Sequence, residues 1–147
     1  MIREITLIAG LPGSGKTTHL HSLRQDGLSI FDDFKANAYN DSPAFQHSRN
    51  YHSLLSALRG GQKCAVADID FCTTSSRNEA ESILRTQIPD LKLRWLFFAK
   101  DFRACEANIK RRASRSLEEN LQKLKDYSAL YQIPTDALML PVWSASE

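Results

Sequence analysis

Glu4-Ile5-Thr6-Leu7-Ile8-Ala9 runs directly into Gly10-Leu11-Pro12-Gly13-Ser14-Gly15-Lys16-Thr17-Thr18, and the reading of this junction decides the fold. The first six residues are mostly beta-branched or aliphatic and end abruptly at glycine and proline, which predicts a strand. From Lys16 the pattern becomes helical, with Leu20 and Leu23 on one face and Gly27 where a helix stops. Between the two, Gly10 to Thr17 satisfies G-x-x-x-x-G-K-[ST], a loop whose backbone N–H groups and following helix N-terminus converge on a polyphosphate. Its glycines permit positive φ and close backbone approach, and Lys16 brings a mobile point charge to the outer phosphates. Gly13, Ser14, Gly15, Lys16, Thr17 and Thr18 are therefore the expected nucleotide-binding residues. Lys16 is also expected to act in catalysis, and the Thr17 hydroxyl to ligate magnesium.

Working outward, Leu28-Ser29-Ile30-Phe31 reads as a short second strand with Asp32-Asp33 at its end. Ser42-Pro43 offers an N-cap and first-turn proline for a second helix that reaches Gly60-Gly61. The apolar run from Lys63 to Ile69, carrying Asp68, reads as a central parallel strand, with Asp70 expected on the same side of its extension. Ser76-Arg77-Asn78-Glu79 reads as a capping box opening a third helix that stops before Pro89. Leu91 to Phe98 is apolar on both faces and belongs inside the sheet. A helix from Asp101 to Arg112 follows, then the polar link Ala113-Ser114-Arg115, and a second capping box at Ser116-Leu117-Glu118-Glu119 opens a helix to Tyr131. Ala137 to Val142 reads as a last strand, which Pro141 restricts to an edge. Strands alternating with helices predict a three-layer α/β domain with a parallel sheet and helices on both faces, and residues 1–147 read as a single domain.

The chain has 147 residues, 42% hydrophobic and 24% charged, which suits one globular core and no disordered or repeat architecture. Three cysteines without a C-x-x-C pair argue against a disulfide framework or zinc site, and for reduced, buried thiols in a cytoplasmic protein. No run reaches the roughly 20 apolar residues of a membrane span. A net charge of +2 is too mild for a nucleic-acid coat, although Lys110-Arg111-Arg112 with Arg115 forms a local basic cluster. Four histidines lack metal-ligand spacing and read as surface or packing residues. Trp95, Trp143, Phe97 and Phe98 read as core, while Tyr39 and Phe45 suit the lining of an acceptor pocket.

Open α/β sheets place their sites at the carboxyl ends of the strands, so Asp32, Asp33, Asp68 and Asp70 are expected to face the loop. Phosphoryl transfer needs magnesium and a carboxylate that accepts or orients the hydroxyl proton. Asp68 is expected to organise the metal and Asp32 the acceptor hydroxyl. The plain alternatives are strand-end acids in solvent and, for Asp32-Asp33, a helix N-cap.

The phosphate loop, the double aspartate after the second strand, the acid-ended third strand and the helix Cys105-x-x-Asn108-x-x-x-Arg112 together resemble the small P-loop kinases. Within them the chain is most similar to the polynucleotide-kinase-like branch, which also holds zeta-toxin-like phosphotransferases. The likeness runs from about Ile5 to Pro134, and its one highly specific part is the loop. It implies a P-loop NTPase domain with sheet order 2-3-1-4-5, magnesium-ATP as donor and transfer of the γ-phosphoryl group to a hydroxyl. It also implies a short lid near 111–116, where Arg111 and Arg115, with Arg112 close behind, would meet the migrating phosphoryl group; the plain alternative is a solvated helix end. Asp32, Asp33 and Lys35 take the substrate positions. Phe31 and Lys35 stand where the branch carries arginines, which implies a different acceptor, and Asp70-Phe71 stands where it carries Thr-Asn, so the branch's substrate contacts do not carry over in detail. The expected function is thus an ATP-dependent phosphotransferase acting on a hydroxyl-bearing small molecule or a polynucleotide end, with no membrane and no obligate protein partner. The rivals are a nucleotide-hydrolysing switch and a nucleic-acid-binding module.

Overall fold

The strand Glu4–Ala9 (β1) lies at the centre of a five-stranded sheet, with Leu7 facing Val66 on one side and Trp95 on the other. The computed structural model describes residues 3–32, 46–112 and 116–143. Asp33, Lys35, Tyr39, the Ser42-Pro43 cap, Phe45 and Arg115 lie outside the described residues. In chain order the elements are β1, the helix Lys16–Gln25 (α1), Ser29–Phe31 (β2), Gln46–Arg59 (α2), Cys64–Ala67 (β3), Thr74–Gln87 (α3), Lys92–Phe98 (β4), Phe102–Arg112 (α4), Leu117–Leu130 (α5) and Met139–Leu140 (β5). All pairings are parallel and the strand order is β2-β3-β1-β4-β5.

Alternation along the strands feeds two cores. Ile5, Leu7, Ala9, Cys64, Val66 and Phe97 pack with Leu54 and Leu58 of α2, Leu84 of α3, Ile109 of α4 and Leu124 of α5. On the other face Ile8, Ala65, Ala67, Leu96 and Phe98 pack with Leu20 of α1. Each fully buried leucine removes enough apolar surface from water to contribute about 1.5–3 kcal/mol, so Leu20 alone does much to hold α1, and with it the loop, on the sheet. The second face is the thinner one: Lys92 and Arg94 of β4 stay exposed, so this strand is enclosed only over Leu96 to Phe98.

Four local expectations are corrected. The third strand ends at Ala67, and Ile69–Cys72 forms a 3-10 turn, because the Asp68 carboxylate accepts the Asp70 N–H at 2.8 Å and turns the chain. Asp70 is therefore not on a strand extension. Thr73, not Ser76, caps α3, its hydroxyl accepting the Ser76 N–H, and the predicted box lies inside the first turn. Ser116 precedes α5 without a side-chain capping bond. The final strand shrinks to two residues paired with Phe97 and Phe98, ending just before Pro141, which supplies no N–H for further pairing.

Candidate phosphate-binding site

The loop between β1 and α1 takes the shape that its glycines allow. Gly13 and Gly15 have φ of 82° and 105°, where a side chain would be strained. Space forbids one as well: a Cβ on Gly13 would lie 2.5 Å from the Cys105 carbonyl oxygen, and one on Gly15 would lie 2.6 Å from Cβ of Trp143. Gly15 is the N-cap of α1 and no side chain caps the helix, so its first N–H groups have no side-chain acceptor. This is the arrangement in which a phosphate oxygen completes the helix end. The Lys16 ammonium folds back over the loop and donates to the carbonyls of Gly10 at 2.7 Å and Leu11 at 3.0 Å.

Two sequence-predicted residues meet directly: the Thr17 hydroxyl donates to Oδ2 of Asp32 at 2.7 Å. Hydroxyl and carboxylate oxygens are the donors that magnesium takes, and Thr17 with the strand-end acids Asp32 and Asp68 offers them. Asp68 is only 2% exposed, holds the 3-10 turn, and is not among the residues that line the cavity on the loop. Tyr127 of α5 donates its hydroxyl to Asp70 at 3.1 Å. Burial, then the Asp70 charge, pushes the Tyr127 phenol up to about 12; burial, then the charges of Glu79 and Asp68, does the same for Tyr51. Both phenols therefore stay protonated at neutral pH.

A cavity of about 280 Å³ sits on the loop, walled by Lys16, Thr17 and Asp32 on one side and by Arg112, Asn120 and Lys123 on the other. Of the basic cluster, Arg112 reaches this wall, while Arg111 donates to the Asn108 side-chain oxygen at 3.1 Å. Asn120 and Lys123 were not singled out in the sequence. Their signal is the spacing of Asn120, Lys123 and Tyr127, a polar stripe on one face of α5 that turns inward, toward the cavity and Asp70.

Trp143 is the residue most displaced from its expected place. It is 44% exposed, lies against Gly15, and donates its backbone N–H to the Ser14 carbonyl at 3.0 Å. β5 ends at Leu140, and of the residues that follow it is Val142 that packs against the core, while the indole lies over Gly15. Trp95 does pack inward, edge-on to Phe71 with ring centroids 5.1 Å apart. Gly15, Thr18, His19, Leu140 and Trp143 share a second, more apolar cavity of about 450 Å³ on the far side of the loop. All three cysteines are buried and free, and burial pushes each thiol up to about 11. No described helix is long and apolar enough to cross a membrane.

No family model and no curated protein matches the chain. Solved structures do. The chain is similar to a gluconokinase from Sinorhizobium meliloti 1021, at 14% identity and TM-score 0.60, over 97% of this chain and 85% of that one. It is similar to the Mycobacterium tuberculosis APS kinase CysC, solved with AMPPNP and APS, at 18% identity and TM-score 0.60, over 96% and 90%. It also matches a chain of the Pnkp1/Rnl/Hen1 RNA repair complex at 12% identity and TM-score 0.57, over 99% of this chain and 50% of that one. At these identities the likeness shows the fold alone, the P-loop NTPase fold, with the sheet order that the family resemblance implied.

Proposed function

We propose that the protein is a magnesium-ATP-dependent phosphotransferase that moves the γ-phosphoryl group to a hydroxyl. The observation that carries this reading is the complete phosphate loop joined to a strand-end acid, with the Thr17 hydroxyl 2.7 Å from Asp32. A polyphosphate would lie on the loop N–H groups of Gly13 to Thr18, with Lys16 leaving its carbonyls for the outer phosphates. Thr17 and Asp68 would hold magnesium, which supplies charge neutralisation to the phosphates when bound. Asp32 would accept the acceptor's proton, assisted in substrate binding by Asp33 and Lys35. Arg112 and Lys123 would face the transferring group across the cavity; the short lid near 111–116 expected from the sequence, with Arg111 and Arg115, includes residues 113–115, which lie outside the described residues.

The helix carrying Cys105, Asn108 and Arg112 favours the polynucleotide-kinase-like branch, and the likeness to a gluconokinase, an APS kinase and a chain of an RNA repair complex is compatible with a hydroxyl acceptor. Three buried, protonated thiols suit a reducing cytoplasm. The test is release of ADP from magnesium-ATP over a panel of sugars, sugar acids, nucleosides and oligonucleotides with a free 5′-hydroxyl. At least one acceptor should stimulate turnover. Slow hydrolysis that no acceptor stimulates would instead favour a nucleotide switch.

A further inference from the structure

Asn108 lies in α4, is 4% exposed, and spends every polar atom on a different part of the molecule. Its amide nitrogen donates to the Gly13 carbonyl at 2.8 Å and to the Trp143 carbonyl at 2.6 Å. Its oxygen accepts from Nη1 of Arg111 at 3.1 Å. The orientation of the amide is dictated by its neighbours, since two carbonyls require donors and a guanidinium requires an acceptor. A flipped amide would set oxygen against two oxygens.

The three partners belong to the phosphate loop, the segment 141–143 and the basic cluster at the end of α4. They are also tied to one another. Trp143 donates its backbone N–H to Ser14, and the Cys105 carbonyl of α4 lies where a Cβ on Gly13 would be. A purely packing role at this buried point would be filled by an apolar side chain; an amide that uses both N–H donors and its oxygen imposes one relative placement on three segments.

Resting on the kinase reading above, we propose that Asn108 is a positioning residue that couples the phosphate loop to Arg111 and to the segment carrying Trp143. Occupation of the loop by a nucleotide and the placement of the lid-side guanidinium are then set through one side chain.

The test uses the full chain and ADP with magnesium as probe. Trp95→Phe leaves Trp143 as the single tryptophan, and its emission should change on adding ADP. Asn108→Asp keeps the size and the acceptor for Arg111 but puts oxygen opposite both carbonyls. It should abolish at least half of that emission change and lower kcat about 10-fold or more, with KM for ATP moving less than about 3-fold, since positioning acts on the transition state. Arg111→Gln should lower kcat while retaining the emission change, and the double variant should be no slower than the slower single variant. Hydrogen exchange on the unaltered protein provides a measurement that needs no variant: ADP should slow exchange in peptides covering both 105–112 and 138–143. Bound ADP with unchanged exchange in either segment, or a folded Asn108→Asp protein with normal emission response and kcat, overturns the coupling alone. Absence of ADP binding by the unaltered protein overturns the kinase reading and this inference with it.

Discussion

Replacing Lys16 with methionine should weaken the protein before any nucleotide is added. The ammonium donates to Gly10 at 2.7 Å and Leu11 at 3.0 Å, so in the free protein it stitches the loop to itself. Hydrogen bonds to charged groups contribute about 1.5–3 kcal/mol when buried. Lys16 is half-buried, and solvent screening brings the pair to about 2 kcal/mol in total. For a chain of this length one kcal/mol shifts melting by about 3 °C, so Lys16→Met should melt about 6 °C lower. Nucleotide binding carries a second, separable loss. The ammonium must leave two carbonyls to reach phosphate, so only the difference between the two sets of contacts appears as affinity, about 2–3 kcal/mol or a 30- to 150-fold weaker Kd for ADP. Differential scanning fluorimetry without ligand measures the first quantity and isothermal titration calorimetry the second. A variant melting within about 1 °C of the parent would refute the seated lysine, and unchanged ADP affinity would refute its role on the phosphates.

Asp32→Asn should abolish transfer and leave ATP affinity within a few-fold, because the amide retains the shape but cannot take the proton, whereas Asp68→Asn should shift the magnesium requirement; an active Asp32→Asn enzyme would move the base to Asp33. Arg112→Ala should reduce kcat about 10²-fold with ADP binding nearly unchanged, and normal turnover would return it to a helix-end charge. His19 is held below its ordinary value of 6.5 by burial and then by Arg94. The unfolded chain thus takes up this proton first as pH falls, so stability present above pH 6.5 is lost below it; the dependence of melting on pH between 7 and 5 should flatten in His19→Phe, and an identical slope would contradict this.

The junction at residues 4–18 was legible because a phosphate loop is a local object: strand, glycine turn and helix are adjacent in the chain, and each needs only its own side chains to be recognised. Asp32 and Asp68 were legible as strand-end acids for a related reason, since acids that end apolar strands reach the same edge of any parallel sheet; Asp32 lines the cavity on the loop, whereas Asp68 is buried against the Asp70 N–H and is not part of that lining. The turn after Asp68 was not. Extension and a 3-10 turn differ there by one side-chain bond, from the Asp70 N–H to the Asp68 carboxylate, and no periodicity reveals it. The start of α3 was misplaced for a similar reason: Thr73 and Ser76 are both good caps, and only the packed position of the first turn selects between them.

The amino-acid sequence by itself determined that this is an α/β domain with a phosphate loop between its first strand and helix, because apolar patterning and the loop signature act within a few turns of chain; the strand order 2-3-1-4-5 came only from the resemblance to the small P-loop kinases. Only the tertiary structure decided which distant side chains share the loop. Lys123 arrives from a helix that reads as ordinary surface, Trp143 from beyond a strand of two residues, and Asn108 joins Gly13 and Trp143 across 95 and 35 residues of chain. Such meetings depend on where whole elements pack, and packing is set by the summed burial of many leucines and phenylalanines, none of which carries information about the site.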